Sequence, residues 1–469
     1  MNTECSPNKI EFQGLGKRRV AGRFDGGTIT SDAGALLLRE VEERYGIIGR
    51  FAECFTDWRD EELIEHTCRD LVAQRIYGLA LGYEDLNDHD QLRRDPLLAT
   101  LVGKDDPTGR GRLAERDRGM PLAGKSTLNR LELTPADADA GSRYKKVVAE
   151  HEEIEGYFVD MFLQLNEQQE RIVLDLDATD DPLHGEQEGR FFHGYYNDYC
   201  YLPLYVFCGK DLLWAQLRQS NIDQAEGSVE ALEQIVGRIR EEWPGVKIVI
   251  RADSGFCREE IMAWCEANGV DYILGMAKNE RLKAMLSEEM EEARGIFEET
   301  GCAARVFGDL LYRTLTSWSR HRRVVAKAEH LAKGSNPRFV VTSVPEDDMD
   351  ARTLYEDEYC ARGEMENRIK EQQLYLFADR TSTSWMRSNQ LRLWFSSVAY
   401  VLVNAFRRFG LKGTEMANAY CNTIRERLFK IGARVKVSVR RIVVSMAGGY
   451  PYQHLFAQAC RNIGVPLRC

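Results

Sequence analysis

The sequence predicts an α/β protein in which a mixed β-sheet, covered by helices, lies between two helical regions. Three strand-like runs follow one another at 171–179, 190–208 and 211–220, and helix and strand patterns then alternate twice up to 278. Strands in hairpin order followed by alternating helices and strands form a mixed sheet with helices on its faces. Up to 166 and again after 354, apolar residues recur at three- and four-residue spacing, which predicts helices.

The N-terminal region is predicted to be helical from Ser31 to about Asn166. Ser31 and Asp32 are candidate caps for a helix over TSDAGALLLREVEERYGI, and DEELIEHTCRDLVAQRIYGLALGY predicts another. The segment 103–124 is rich in glycine, proline and charge, which predicts a loop or mobile arm. Helices are expected to resume at 126–133 and 136–165.

In the central region, Gly209-Lys210 joins the second and third strand patterns and suits a hairpin. The strand VKIVIRAD, the helix REEIMAWCEANG and the strand DYILGMAK follow. From 303 to 344, three further strand patterns predict a small antiparallel sheet. Because it interrupts helical and α/β material on either side, we interpret this sheet as an insertion.

The composition indicates a folded protein with ordinary cores, since 43% of the 469 residues are hydrophobic. The sequence has no apolar run long enough for a membrane helix, and its N-terminus lacks the apolar centre of a signal peptide, so we expect a cytoplasmic protein without a membrane partner. The 12 cysteines form no CxxC pair and predict reduced thiols. Of the 8 histidines, His184 and His193 are the candidates nearest the acidic motif described below.

The charge is distributed unevenly along the chain. A net charge of −11 argues against a protein that coats nucleic acid indiscriminately. Between Arg380 and Arg441, however, 13 basic residues accompany 2 acidic ones. This excess predicts a localised polyanion site, with a solvated helical surface as the alternative.

The segment RIVLDLDAT at 171–179 carries Asp175 and Asp177 one residue apart. Because a strand repeats every two residues, both acids project from one face and the flanking leucines from the other. Two like charges on one face of a central strand repel each other and lose hydration, which favours a bound hard divalent cation. The alternative is a strand end followed by a capped Asp/Thr turn.

A second acidic position follows a later strand. VKIVIRAD ends at Asp253, before Ser254 and Gly255, and open α/β sheets bind their ligands at the carboxyl ends of such strands. A helix cap is the alternative role for this side chain.

A third carboxylate lies in TLYEDEYCARGEMENRIKEQQLYLF, which we predict to be one helix. At about 100° per residue, one stripe within about 60° of Tyr359 carries Arg362, Glu366 and Lys370. The neighbouring acids Glu364 and Glu371 fall more than about 100° away, so Glu366 is the carboxylate next to groups that bind a phosphate backbone. An intrahelical pair of Arg362 and Glu366 on a surface helix is the alternative.

Together, Asp177, Asp253 and Glu366 predict a site for two Mg²⁺ ions, for which Mn²⁺ is expected to substitute. Two such ions activate an attacking oxygen and stabilise the leaving oxygen during displacement at phosphorus. Scissile DNA or RNA would supply the remaining oxygen ligands.

These residues resemble the DDE transposases of bacterial insertion sequences, in particular those with a Tyr-Arg-Glu-Lys helix. The resemblance rests on LDLDAT, IRADSGF and the spacing Tyr359-x2-Arg362-x3-Glu366. It spans the chain, because FDGGTITSDAGALLLRE, GYEDLNDHDQLRRDP, STLNRLE and FFHGYYNDYCYLPLYVFCG are also similar to segments of one such group. It implies that Asp177 rather than Asp175 is the first catalytic acid, since the family's Asp stands two residues before a Thr or Ser.

The resemblance implies an RNase H-like fold with a β-rich insertion between the second Asp and the Glu. The expected domains are a mostly helical DNA-binding or oligomerisation region (1–165), the first part of the catalytic core (166–285), the insertion (286–352), the second part of the core with the Glu helix (353–410) and a basic helical C-terminal region (411–469).

The resemblance also implies a DNA transposase that binds the terminal inverted repeats of its element and catalyses metal-dependent strand cleavage and strand transfer. The expected partners are double-stranded DNA, as inverted repeats and as target, and a second copy of the chain in a homodimer. The expected location is the bacterial cytoplasm, at the nucleoid when bound to DNA.

The chain departs from the family pattern at one position of the helix. The family has a Lys seven residues after the Glu, where this chain has Gln373, and Lys370 lies on the same stripe one turn earlier. The resemblance assigns Tyr359 and Arg362 to DNA contacts near the cleaved end. Trp318, in the insertion, is a candidate for stacking on an unpaired base, with packing in the small sheet as the alternative.

Two rival functions remain open. VLDLDAT also fits the loop of haloacid-dehalogenase-type phosphatases, with Asp175 as nucleophile, Asp177 as acid/base and Thr179 as the third motif residue. Those enzymes need a later loop with two acids, whereas RADSGF supplies one, and their first loop usually stands near the start of the chain. The other rival is a catalytically silent, domesticated DNA-binding protein.

Overall fold

The computed structural model describes residues 10–466 and divides them into two compact units. The larger, which we call the sheet unit, consists of Glu53–Trp58 and Glu132–Asn404. The smaller, which we call the terminal unit, consists of Arg59–Leu131 and the described residues of Met1–Ala52 and Ala405–Cys469.

The sheet unit is built on nine strands, numbered here in chain order. They are β1 (Arg171–Ala178), β2 (Leu204–Cys208), β3 (Asp211–Gln216), β4 (Lys247–Ala252), β5 (Asp271–Met276), β6 (Ala304–Tyr312), β7 (Arg322–Leu331), β8 (Gly334–Ser335) and β9 (Arg338–Thr342). Their order across the sheet is β3-β2-β1-β4-β5-β9-β7-β6, and β8 pairs with β7.

The sheet is mixed, as predicted. β4 is parallel to both β1 and β5, whereas β1–β2, β2–β3 and the pairs formed by β6, β7, β8 and β9 are antiparallel. The predicted hairpin at Gly209-Lys210 is confirmed, and Gly209 adopts a φ of +60° that glycine tolerates without strain. A large mixed sheet with many helices is consistent with an RNase H-like fold.

The alternation of β1 determines what each face of the sheet carries. Leu174 and Leu176 are buried in a core shared with the helices His151–Leu165, Ser228–Glu242 and Glu259–Ala267. Burying each leucine contributes about 1.5–3 kcal/mol. The two aspartates of β1 therefore project from the opposite face, as the two-residue period predicts.

The sheet unit contains further helices and two small sheets. Its other helices are Glu280–Met285, Ser287–Thr300, Ala351–Thr353, Gly363–Leu376 and Met386–Phe409, the last continuing past Asn404, with 3₁₀ turns at Ser254–Phe256 and Cys360–Arg362 and a π-helical segment at Leu354–Tyr359. Two small sheets pair Phe55–Asp57 with Val147–Ala149, and Asp198–Tyr201 with Asp181–Pro182 and Phe191–His193.

The terminal unit is mostly helical but includes two hairpins. Its helices are Leu36–Tyr45, Ile47–Glu53, Cys68–Ala80, His89–Leu92, Pro96–Val102, Lys125–Glu132, Cys421–Ile424 and Gln453–Asn462, with 3₁₀ turns at Ala33–Ala35, Glu61–Leu63, Leu86–Asp88 and Glu115–Asp117 and a π-helical segment at Arg425–Phe429. Its strands are Ile10–Leu15 with Arg18–Gly22, and Ile29–Thr30 with Ala433–Ser438 and Arg441–Met446.

Two sequence-based expectations about β-structure are corrected by the fold. The strands predicted at 303–344 do not form a separate sheet, because β9 pairs with β5 and so extends the central sheet. The pattern 190–208 is three strands rather than one, because the hairpin tip at 194–197 and Pro203 interrupt it. Both outcomes depend on pairing between distant segments, which local patterning does not specify.

The helical prediction for 411–469 is wrong over 433–446, where the chain forms a β-hairpin. This segment, ARVKVSVRRIVVSM, alternates β-branched and polar residues, a pattern that fits a strand better than a helix. The helix predicted at 136–165 is likewise shorter, since Val147–Ala149 is a strand and the helix begins at His151.

Two predictions about helices can be compared directly with the structure. The segment 353–377 is helical throughout most of its length, but a π-helical stretch and a 3₁₀ turn precede Gly363. Ser31 and Asp32 precede a 3₁₀ turn rather than the α-helix itself. Within residues 10–466, every helix is too short or too polar to span a bilayer.

Candidate active site

The carboxyl ends of β1 and β4 bring two of the predicted acids together. Asp177 is the next-to-last residue of β1 and Asp253 directly follows β4. Because β1 and β4 are parallel neighbours, both strands end at the same edge of the sheet. These two acids, Arg362 and Glu366 line one cavity of about 490 Å³ within the sheet unit.

Asp253 lines the cavity and also caps the turn that follows it, which is the role that the sequence suggested as an alternative. Its Oδ1 accepts a hydrogen bond from the Gly255 backbone N–H at 2.8 Å, at the start of the 3₁₀ turn Ser254–Phe256. Gln224 Nε2 lies 3.5 Å from the same oxygen. The cap fixes the carboxylate direction at the strand end.

Arg362 lies between two of the three carboxylates. Its guanidinium nitrogens are 3.6 Å from Asp177 Oδ2 and 3.3 Å from Glu366 Oε1. The intrahelical pair predicted as an alternative is therefore present, and the same guanidinium also contacts Asp177 on β1. Burial opposes the positive charge of Arg362, but Asp177, the Tyr359 hydroxyl, Asp253 and Glu366 outweigh it and raise its pKa.

Asp177 is poorly compensated for a carboxylate that is largely buried. Its pKa is raised to about 7, chiefly by burial; the charges of Asp253 and Glu366 act in the same direction, and Arg362 and the Ala178 backbone N–H act in the opposite direction. Part of the cost of ionising Asp177 is therefore repulsion within a cluster of acids. Such a cluster gains from additional positive charge.

Asp175 has a different environment from Asp177 although it shares the same face of β1. It is 2% exposed, and both of its oxygens accept bonds from the Arg251 guanidinium, at 2.6 and 2.8 Å. The two residues are aligned across β1 and β4, and Arg251 also donates to the Glu358 carbonyl. This bidentate pair neutralises Asp175 within the protein.

Tyr359 lies against a glycine at the same edge of the sheet. A Cβ atom on Gly275, in β5, would be 2.3 Å from the Tyr359 hydroxyl and 3.1 Å from the Ser254 nitrogen. The glycine therefore permits a close approach of the helical segment to β5. Burial raises the pKa of Tyr359, so its hydroxyl stays protonated.

The other predicted site residues lie outside the cavity lining. Lys370 is exposed on the Glu366 helix, and Gln373 Nε2 donates to the Asp180 carbonyl at 3.0 Å. Trp318 is 6% exposed and packs edge-on against Tyr312, with ring centroids 5.7 Å apart. The structure therefore favours the packing alternative for Trp318 over base stacking.

The cavity also contains residues that sequence reasoning missed. Gln224, Tyr195 and Tyr196 line it, together with His193, which the sequence had suggested only through its proximity to the acidic strand. His184 is exposed and is not among the lining residues. The aromatic pair in the turn GYYN was the available indication for the tyrosines.

The donor chemistry of the cavity fits divalent metal ions. Three carboxylates are hard oxygen ligands of the kind that Mg²⁺ and Mn²⁺ prefer. In the described part of the chain, no three acidic, histidine or cysteine side chains are close enough to hold an ion together. The Arg362 guanidinium lies between Asp177 and Glu366, so it would have to withdraw for these acids to become ligands.

Comparison with known proteins bears on the family of the chain. No curated protein sequence was found to match the chain. The cryo-EM structure of the piggyBac transposase synaptic complex with hairpin DNA (SNHP) is similar at 11% sequence identity, covering 85% of this chain and 80% of that one, with a TM-score of 0.42. So distant a likeness carries no argument about fold or function.

The decisive match is to a family model described as transposase DDE domain group 1, over residues 12–465. This range includes both strands that carry the aspartates, the Glu366 helix and all the strands of the central sheet. The protein therefore belongs to the DDE transposases of domain group 1.

Proposed function

We propose that the protein binds the terminal inverted repeats of its own element and cleaves and joins DNA strands with Asp177, Asp253 and Glu366. The observation that carries this proposal is the shared cavity, which all three carboxylates line at the carboxyl edge of the sheet. Bound Mg²⁺ or Mn²⁺ ions would activate the attacking oxygen and offset charge at the scissile phosphate.

The residues around the acids have separate roles in this proposal. Arg362 offsets the charge of Asp177 and Glu366 in the metal-free protein and binds a backbone phosphate when DNA is present. Tyr359, fixed over Gly275, directs its hydroxyl toward the same strand. Asp253 stays oriented through its bond from Gly255. Lys370, exposed on the same helix, is a further phosphate contact.

Gln373 and Trp318 take supporting roles. Gln373 ties the Glu366 helix to the backbone that follows β1, through Asp180. This contact orients Glu366 rather than replacing the family's Lys on DNA. Trp318 stabilises the strands β6 and β7 by packing in the core.

The terminal unit supports an end-binding role. Many basic residues between Arg380 and Arg441 are buried or paired within their own unit, including Arg407 and Lys430. The exposed charge concentrates on the hairpin 433–446, which presents Arg434, Lys436, Arg440 and Arg441 to solvent. A two-stranded ribbon with basic side chains suits a DNA groove or backbone.

The proposed assembly is a homodimer on double-stranded DNA that acts at the bacterial nucleoid. The proposed origin of the protein is a bacterial insertion sequence. In the assembly, regions 1–165 and 411–469 bind DNA or oligomerise, 166–285 and 353–410 form the catalytic core, and 286–352 is the insertion.

The phosphatase alternative is not supported. Its nucleophile would be Asp175, whose two oxygens are both engaged by Arg251 in a buried pair. A carboxylate in that arrangement is shielded from an incoming phosphate ester.

The test separates catalysis from capping at Asp253. Asparagine keeps the side-chain oxygen that caps Gly255 but removes the charge. Asp253→Asn should therefore fold and bind a duplex carrying the inverted repeat, yet lose Mg²⁺-dependent cleavage to the assay background. Glu280 is an exposed acid that pairs with the partly exposed Lys283, so Glu280→Gln is the matched control and should cleave normally.

Two results would reject the proposal. An Asp253→Asn protein that cleaves like the wild type would remove Asp253 from the metal-binding set. A wild-type protein that binds the inverted repeat and never cleaves it in Mg²⁺ or Mn²⁺ would favour the catalytically silent alternative.

A further inference from the structure

A hairpin beside the cavity exposes an unusual number of aromatic side chains. Its strands are Phe191–His193 and Asp198–Tyr201, and Phe192, Tyr195 and Tyr199 are 53%, 86% and 42% exposed. Large aromatic rings grouped on a surface indicate a binding function, because each one leaves apolar area in water.

The tip of this hairpin has a defined backbone shape. The Asn197 N–H donates to the His193 carbonyl at 2.8 Å, which closes the turn Gly194–Asn197. Asn197 has a φ of +56°, a conformation that asparagine adopts more readily than most residues. The two tyrosines of the turn are therefore held on a closed loop.

Within the tip, Tyr196 supports Tyr195. Tyr196 is half-buried, with its ring centroid 4.9 Å from that of His193. Tyr195 meets Tyr196 edge-on at 5.0 Å and leaves most of its own surface open to solvent. Because so much of the Tyr195 side chain is exposed, its ring keeps open surface on which a further partner can stack.

The tip and the carboxylates belong to one cavity. His193, Tyr195 and Tyr196 line it together with Asp177 and Asp253. Whatever binds Tyr195 is therefore a direct neighbour of the group that binds the acids. In the proposed function that group is a scissile phosphodiester, whose nearest neighbours are its own nucleotides.

A nucleobase inside a duplex has both faces covered by adjacent bases, so it reaches a protein ring only after it leaves the stack. Aromatic side chains bind such bases by stacking, with little dependence on sequence. We infer that the tip of this hairpin is a binding site for one unstacked nucleobase of the DNA strand that is cut, with Tyr195 as the stacking ring. This inference rests on the proposed function.

The opposite face of the hairpin supplies a matched control. Phe192 pairs across the strands with Tyr199, at a ring-centroid distance of 5.5 Å, and neither residue lines the cavity. Phe192→Ala removes an exposed ring from the same element without changing the tip. It should therefore leave cleavage nearly unchanged.

The experiment compares two duplexes that carry the inverted repeat, one fully paired and one with a single abasic nucleotide placed in turn at each position flanking the cut. Tyr195→Ala should slow cleavage of the paired duplex by about 5- to 150-fold, the effect of losing one base–aromatic stack. Tyr195→Phe keeps the ring and should cleave like the wild type.

A binding arm without metal removes the dependence on catalysis. The wild-type protein and Asp253→Asn should both bind a duplex with one unpaired nucleotide at the cut more tightly than the paired duplex, whereas Tyr195→Ala should lose this preference. At one position, the abasic duplex should also make cleavage by the wild type and Tyr195→Ala equal, since no base remains to be held.

Wild-type protein that cleaves, with Tyr195→Ala equally active on the paired duplex, would overturn the inference while leaving the proposed function intact. Loss of activity in Tyr195→Ala that is the same on paired and abasic duplexes at every position would also overturn it, because the ring would then act on something other than a base. Absence of wild-type cleavage would instead count against the proposed function.

Discussion

Two aspartates on one face of β1 lie in opposite environments, Asp175 at the inner end of the strand and Asp177 at its outer end. At the inner end, Asp175 is fully buried and both of its oxygens bind Arg251. At the outer end, Asp177 accepts one backbone bond from the Ala178 N–H at 3.0 Å, has a longer contact with Arg362 and is repelled by Asp253 and Glu366. A buried charge that the protein pairs itself cannot be removed alone without leaving its partner uncompensated, whereas a charge left under-compensated in a cavity is available to a ligand.

This comparison predicts that replacing either aspartate by asparagine has a different consequence, for cleavage at Asp177 and for stability at Asp175. Asp177→Asn should reduce Mg²⁺-dependent cleavage to background without lowering the free energy of unfolding of the metal-free protein. Asp175→Asn should lower that free energy by about 3–5 kcal/mol, because Arg251 would keep its buried charge without an anionic partner. Cleavage assays and denaturant unfolding of the same preparations measure both effects.

The sign of the Asp177 effect follows from its pKa of about 7. Folding raises this pKa from about 4, so the carboxylate destabilises the metal-free fold increasingly as the pH rises through that range. The stability gain from Asp177→Asn should therefore be larger at pH 8 than at pH 5.

The double variant Asp175→Leu with Arg251→Met should recover most of the stability lost in Asp175→Asn. Cleavage by Asp177→Asn would contradict the comparison.

Near the outer end of β1, the helical segment that carries Tyr359 approaches β5 closely at Gly275. Leu274 pairs with Ala252 across β4 and β5, so Gly275 lies level with Asp253. In Gly275→Ala, the new methyl group would meet the Tyr359 hydroxyl and displace the helical segment. We expect a loss of about 1–3 kcal/mol of stability and of about 10²-fold in cleavage rate.

Two variants isolate the cause of this effect. Gly275→Ala combined with Tyr359→Phe removes the oxygen that clashes and should recover much of the stability. Gly295→Ala, in the helix Ser287–Thr300 with no neighbouring atom within 4 Å of the added methyl group, should instead leave stability unchanged or raise it. If both alanines cost the same, the contact with Tyr359 does not explain the glycine.

The sequence alone identified much of the outer end and little of the inner end. Strand patterns located Asp177 and Asp253 at strand ends, where open α/β sheets bind their ligands, whereas the choice of Asp177 over Asp175 came from the family resemblance. The pairing of Asp175 with Arg251 depends on the register between β1 and β4, which strand patterns do not specify. Arg251 itself was visible as a cation in an apolar strand, two residues before Asp253 and so on the same face.

The same limit applies to the fold. The order of strands and helices around β1 could be predicted from hydrophobic periodicity, and so could the hairpin at Gly209. The junction of β9 with β5 and the hairpin 433–446 could not, since the first is a long-range pairing and the second was obscured by its basic residues.

A third acid tests whether burial or exposure to the cavity makes a carboxylate functional. Asp181 is 1% exposed, like Asp175, but its oxygen accepts from the Thr381 hydroxyl at 2.9 Å rather than from a guanidinium. Burial raises its pKa to about 8, the Thr381 bond opposes this shift, and Asp379 and Asp180 add to it. Asp181 does not line the cavity.

Because folding raises the pKa of Asp181, its contribution to stability is present below about pH 4 and is lost as the pH rises through 8. Asp181→Asn removes the ionisation and keeps an oxygen for Thr381, so its melting temperature should exceed that of the wild type by a few degrees at pH 9 and match it near pH 4. Cleavage should be retained, in contrast to Asp177→Asn. Melting curves between pH 4 and 9 measure the effect. A pH-independent difference would mean that Asp181 is not the titrating group, and a loss of cleavage would extend the functional cluster beyond the cavity.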